Sequence, residues 1–213
     1  MEILFGFLTV GVISLLGAMS PGPDFVLVTK NSILHSRKTG IYTSVGIGVG
    51  ILVHVVYSLI GIGLIISQSI LLFSILKYIG AVYLLYLGIS LLRKRRDNQE
   101  VVIEKSQNNQ DVKISHVKAF REGFLNSALN PKTTIFFLSV FTQIINPNTH
   151  VFVQFMYGLE VAIVVFAWFA LLSFLLSTNI VKNRFNRVQY YLSKAMGAIL
   201  VVLGVKVALS SQK

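Results

Sequence analysis

Apolar runs of about 20 residues recur along the whole chain, and this recurrence sets the solvent in which the chain can fold. They cover residues 3–28, 41–66, 70–92, 120–145, 151–176 and 190–209. Each is long enough to cross a hydrocarbon layer of about 30 Å as a helix. Charged residues make up only 13% of the sequence, against about 25% in a water-soluble domain. Backbone groups in lipid must be satisfied within a helix or a closed barrel. The runs are continuous rather than alternating, which favours helices. The expectation is an all-α integral membrane protein with six transmembrane helices. The first run starts with Glu2 and no cation, so it reads as a span rather than a cleaved leader.

The long polar stretch 93–118 begins Arg93-Lys94-Arg95-Arg96 and is rich in Asn and Gln. It reads as a solvated linker between a first three-helix unit, 1–92, and a second, 119–213. The remaining connections are expected at 30–40, 67–69, 146–150 and 177–189. Most of the 19 Lys and Arg residues fall in the linker and in the loops after the first and fifth spans. The positive-inside rule puts these three segments in the cytoplasm and both termini outside. The net charge of +11 is therefore a topology signal, with attraction to anionic lipid as a by-product. No nucleic-acid partner is implied, because groove-reading context is absent. With no cysteine in the chain, disulfides, thiol redox chemistry and cysteine metal sites are excluded.

The two units resemble each other. Ala18-Met19-Ser20-Pro21 matches Ala128-Leu129-Asn130-Pro131, and Lys77-x-x-Gly80-Ala81 matches Lys194-x-x-Gly197-Ala198. Three spans per unit is an odd number, so the second unit enters the membrane from the opposite side. Inverted repeats with broken helices in equivalent positions are how many secondary carriers build a midplane site.

Ser20-Pro21-Gly22-Pro23-Asp24 interrupts the first span, and Asn130-Pro131-Lys132 the fourth. Proline has no N–H, so Pro21, Pro23 and Pro131 free the carbonyls of Gly17, Met19 and Ser127. Residues preceding proline are also pushed out of helical geometry. An unwound segment with freed carbonyls on one side and a half-helix N-terminus on the other suits a zwitterion. A carboxylate deep in a bilayer costs about 2.5–3.5 kcal/mol, so Asp24 needs a role: binding an ammonium, carrying an exchanged proton, or capping the second half-helix. Lys132 is open to pairing with Asp24, attracting a cargo carboxylate, or snorkelling to an interface. Asn130 reads as an amide donor and acceptor in the unwound helix. The candidate cargo-binding set is Ser20, Pro21, Gly22, Pro23, Asp24, Asn130, Pro131 and Lys132.

Gly46-x-Gly48-x-Gly50 follows no strand, so it is not a nucleotide fingerprint. Gly46 and Gly50 instead form a small-residue face for close helix packing. His54, one turn on, is either part of a proton path or a core histidine tied to a neighbouring helix. Glu160, the second deep carboxylate, is either a proton-coupling group or a polar tie. The candidate proton-coupling set is Asp24, Glu160 and His54. The histidines are scattered and no Walker loop is present, so neither a metal centre nor a cofactor is expected.

These motifs resemble those of the lysine/threonine exporter (LysE/RhtB) family of bacterial amino-acid efflux carriers. The resemblance is carried by Ser20-Pro21-Gly22-Pro23-Asp24 and by Gly123-Phe124-Leu125-Asn126-Ser127-Ala128-Leu129-Asn130-Pro131-Lys132. It implies a secondary active exporter, not an enzyme, in the bacterial inner membrane. The implied cargo is amino acids, driven out by proton antiport, and a homodimer is the implied assembly. Few deep carboxylates favour small neutral cargo, threonine-, homoserine- or leucine-like. A cation or metal efflux protein of similar architecture, or a non-transporting membrane enzyme or scaffold, are the alternative expectations.

Overall fold

The computed structural model describes residues 2–68, 70–93, 114–144, 149–176 and 179–209. Among these residues the chain is entirely helical, without a strand. The order is α1 (Glu2–Met19), α2 (Pro23–Leu34), α3 (Arg37–Gln68), α4 (Ile70–Arg93), α5 (His116–Ala128), α6 (Pro131–Ile144), α7 (Val151–Leu175) and α8 (Asn179–Leu209). Two continuous stretches, Arg37–Gly61 and Val151–Leu175, are each 25 residues long and apolar enough to cross a membrane. At about 1.5 Å per residue each exceeds the thickness of the hydrocarbon layer. Taken together, residues Leu4–Met19 and Pro23–Leu34 are also apolar enough, but they meet at a bend of 62°, the geometry of either a broken span or a re-entrant pair.

The outer face of α1 carries Leu4, Phe5, Leu8 and Val12, each more than half exposed. Such a stripe would be a liability in water but is the natural lipid-facing surface of a membrane helix. The opposite face feeds a core in which Val10, Phe25, Ile47, Phe137, Val161 and Phe169 are buried together. A second cluster, including Leu84, Leu87, Met196 and Leu200, joins α4 to α8.

Glycine lets the backbones touch at two crossings. A Cβ on Gly46 would run into the Phe120 carbonyl, and one on Gly123 into the Thr43 carbonyl, so α3 and α5 pack main chain to main chain. A Cβ on Gly50 would lie 2.9 Å from Ser127 Cβ on the same crossing. At the α4–α8 crossing a Cβ on either Gly88 or Gly197 would sit 2.8 Å from the other's carbonyl oxygen. The small-residue face expected from Gly46 and Gly50 is thus a contact within the chain. Further packing joins α3 to α7, α1 to α7, α2 to α3 and α4 to α6.

Several boundaries differ from those read in the sequence. The connection expected at 30–40 shrinks to His35 and Ser36, because α2 runs on to Leu34 and α3 starts at Arg37. Ser36 is a cap rather than a loop residue: its Oγ accepts from Thr39 N at 3.1 Å, satisfying a first-turn donor. From Asn179 onward the stretch expected as a loop to residue 189 is helical, in keeping with the good helix propensity of Lys and Arg. Of the linker expected at 93–118, residues 94–113 lie outside the described residues. Its end is the start of α5, where Ser115 Oγ accepts from Lys118 N at 3.2 Å.

Candidate functional site

The helix breaks fall at the prolines. Between α1 and α2, Ser20 N reaches back to the Gly17 carbonyl that Pro21 leaves open, at 3.2 Å. Gly22 is the N-cap of α2, extended at φ −170° and ψ −174°, and Pro23 takes the first helical position, where the missing N–H costs nothing. Between α5 and α6, Asn130 caps the new helix: its Oδ1 accepts from Lys132 N at 3.0 Å, and its carbonyl accepts from Thr134 N at 3.0 Å. The amide role expected of Asn130 is therefore that of an N-cap.

The two breaks meet and exchange side chains. Lys132, after the second break, donates from Nζ to Ser20 Oγ at 2.9 Å, Ser20 O at 3.2 Å and Pro21 O at 3.3 Å. Asp24, after the first break, accepts Asn126 Nδ2 at 2.7 Å on Oδ1 and Thr133 Oγ1 at 3.3 Å on Oδ2. Asp24 is buried at 9% exposure, with partners from both sides of the opposite break. It does not cap α2, since Gly22 holds that position. Lys132 does not snorkel away, because its ammonium lies on the carbonyls of the first break. Tyr83 adds a hydrogen bond from α4 to the Lys132 carbonyl at 3.2 Å.

A small cavity of about 50 Å³ opens beside this junction, well below the usual range of small-molecule sites (about 300–1,000 Å³), so cargo of amino-acid size requires the breaks to part. Its polar end is lined by Ser20, Asp24, Asn130, Lys132 and Thr133, and its apolar walls include Ile51, Phe136, Phe137, Val165 and Phe169. Gly22 and Pro23 also line it. Pro21 and Pro131 are not among the lining residues; they shape the breaks from behind.

The structure places the other two candidates away from this cavity wall. His54 is fully buried, with Nε2 2.8 Å from the Ser127 carbonyl and Nδ1 against the Tyr57 hydroxyl. That carbonyl is the one Pro131 deprives of its helical donor. A neutral ring donating from Nε2 and accepting at Nδ1 satisfies both contacts. The Ser127 carbonyl also accepts from Asn130 N at 3.0 Å, so His54 is a second donor to it, from α3. His54→Phe keeps the ring and removes this tie, and is expected to lower stability by about 0.5–1.5 kcal/mol, since Asn130 N still donates to the carbonyl. The melting temperature of the purified protein measures it, and an unchanged value would mean the tie is dispensable. Glu160, on α7, faces α1 at Gly11, where a Cβ would lie 2.9 Å from its Oε1. Its Oε2 is buried without a hydrogen-bond partner, as is the Oγ of Ser14, which does line the cavity.

Sequence reading missed Asn126 and Thr133, which both donate to Asp24. The available signal was spacing: Asn126 stands one turn before Asn130, and Thr133 directly follows Lys132. The apolar walls were invisible as a site because Phe136, Phe137 and Val165 look like any core residues.

Fold and site together define a multi-pass α-helical membrane protein whose interior brings one carboxylate and one ammonium to paired helix breaks. The chain belongs to the LysE type translocator family, whose model matches residues 15–211. It is thereby placed among transporters rather than enzymes. It is 30% identical to the uncharacterized membrane protein YrhP of Bacillus subtilis over 193 residues, 89% of this chain and 92% of that protein. Over 207 residues it is 28% identical to the threonine efflux protein of Escherichia coli, covering 96% of this chain and 98% of that protein. The uncharacterized membrane protein YahN of Escherichia coli is 26% identical over 200 residues, 94% of this chain and 87% of that protein. No solved structure matches the chain.

Proposed function

We propose that the protein exports small neutral amino acids from the cytoplasm in exchange for protons, with the cargo held between the two helix breaks. The observation that carries this is the reciprocal exchange of Asp24 and Lys132 across the breaks beside an apolar-walled cavity. A carboxylate for the cargo ammonium, an ammonium for its carboxylate and aromatic and aliphatic walls for its side chain are the three parts such a cargo needs. The efflux activity in the name of the threonine efflux protein supports the direction and the cargo class.

In this reading the chain is two inverted three-helix repeats, 1–92 and 119–213, joined by a cytoplasmic linker. The packing supports it. Under the exchange of α1 with α5, α2 with α6 and α3 with α7, the α3–α5 contact becomes α7–α1 and the α2–α7 contact becomes α6–α3, and all four are present. The α3–α7 and α4–α8 contacts map onto themselves, whereas α2–α3 and α4–α6 have no counterpart of comparable size. Rocking of one repeat against the other would then open the site to each side in turn. The loops bearing the cations face the cytoplasm of the bacterial inner membrane, with both termini outside. Asp24 couples cargo to proton by alternately holding one or the other, with Glu160 as a second proton-carrying carboxylate. His54 maintains the break. A homodimer would have to use the lipid-facing surfaces, since Gly46, Gly50, Gly88, Gly123 and Gly197 are occupied within the chain.

Proteoliposomes loaded with a panel of labelled amino acids test this. An imposed pH gradient is expected to drive threonine-, homoserine- or leucine-like cargo against its concentration gradient, and a protonophore to stop it. Cargo movement indifferent to the pH gradient would remove the proton. Movement of metal cations alone would favour a cation efflux protein, and no movement at all a scaffold.

A further inference from the structure

The ammonium of Lys132 has three N–H donors, and three acceptors of the first break take them: Ser20 Oγ, Ser20 O and Pro21 O. Those two carbonyls precede the first hydrogen bond of α2, which runs from Val26 N to Gly22 O, so the helix itself gives them no donor. They form a cation subsite, and a residue of the opposite break fills it. The missing side chain at Gly22 leaves the lane open: a Cβ there would lie 2.9 Å from Lys132 Nζ and 3.2 Å from Cδ. Local preference does not explain the lysine. It stands in the first turn of α6, where the helix dipole favours anions.

We infer that Lys132 is a built-in occupant of the cation subsite at the first break, and that its fixed charge restricts the cavity to cargo with a single ammonium. The inference rests on the amino-acid reading above and names the selectivity of that same site. With Ser20 and Pro21 taken, Asp24 is the one carboxylate among the cavity-lining residues left to a cargo cation. With its three N–H groups taken, Lys132 acts on the cargo carboxylate through its fixed positive charge and not as a hydrogen-bond donor. A zwitterion with a neutral side chain adds no net charge to a cavity that already balances Asp24 against Lys132. A diamino acid brings a second cation that finds its acceptors occupied, and an unpaired charge in a desolvated site is strongly disfavoured.

Removing the side chain should vacate the subsite and admit a free ammonium. Purified full-length Lys132→Ala is titrated with propylammonium, the fragment the substitution deletes, and with tetramethylammonium, which has no N–H to donate. Propylammonium is expected to raise the melting temperature of Lys132→Ala saturably and to leave the native protein unchanged; tetramethylammonium is expected to do nothing to either. The preference for a neutral amino acid over lysine should fall roughly tenfold or more in the variant, the effect of a charged hydrogen-bond set. No saturable propylammonium response, or an equal one in the native protein, overturns the inference. Lys132→Met keeps the stem and loses the charge, which covers the case in which the alanine variant does not fold. It should show the same loss of discrimination, and an unchanged neutral-to-lysine ratio overturns the inference. If the native protein binds no amino acid while Lys132→Ala still takes up propylammonium, the amino-acid reading fails and the occupied cation subsite stands.

Discussion

Asp24→Asn is expected to leave the protein folded, to weaken amino-acid binding roughly tenfold to a hundredfold, and to remove the pH dependence of transport. The substitution is isosteric, so packing around residue 24 is kept. Asn126 can still donate to the amide oxygen. The new amide nitrogen faces Thr133, whose hydroxyl can turn and accept, so no polar atom need be stranded at the junction. What disappears is the negative charge, and hydrogen bonds to charged groups are worth about 1.5–3 kcal/mol each. Binding measured by calorimetry and counterflow measured at two pH values separate the cargo role from the proton role. Unchanged behaviour in both removes Asp24 from the mechanism.

The largest effect on folding is expected from Gly46→Ala or Gly123→Ala. A methyl group at either position meets carbonyl or amide atoms of the facing backbone, from Phe120 and Phe124 in one case and Thr43 in the other. A flexible side chain could move aside, but a packed helix backbone cannot without separating α3 from α5. Overpacking of this kind costs about 1–3 kcal/mol, and the loss of backbone contact along the crossing adds to it. Gly61→Ala is the control. A Cβ there meets nothing within 4 Å, and alanine is the better helix former by about 0.8–1 kcal/mol. Melting in detergent should therefore fall for the first two variants and hold or rise for the third. Equal melting temperatures in all three would mean that α3 and α5 do not pack through these glycines.

Much of this arrangement was legible in the sequence because it follows from local chemistry. Pro21, Pro23 and Pro131 mark the breaks since a residue without an N–H cannot continue a helix, and the helices do stop and restart there. Ser20, Asp24, Asn130 and Lys132 stood out because polar side chains at such depth require partners. The identity of those partners depends on tertiary placement. Lys132 reaches Ser20, and Asp24 draws its donors from Asn126 and Thr133 in the other half. Nothing near Lys132 in sequence pointed to its actual partners, Ser20 Oγ and the Ser20 and Pro21 carbonyls, which are not the ones the prolines free. His54 is similar, since its use depends on where Pro131 leaves the Ser127 carbonyl. The connection boundaries were missed for a different reason. Ser36 and the basic stretch after Asn179 are polar, which reads as loop, yet a cap and a charged helix are polar too.

The central claim is that one cargo molecule bridges the breaks, its ammonium at Asp24 and its carboxylate at Lys132. Calorimetric titration of the purified native protein with threonine, with its decarboxylated amine and with its deaminated hydroxy acid tests this most directly. The expected result is binding of threonine, with each half-ligand weaker by roughly tenfold or more, since the hydroxy acid forfeits the charged hydrogen bonds at Asp24 and the amine the attraction of the Lys132 charge. An amine or an acid that binds as tightly as the whole amino acid would contradict it.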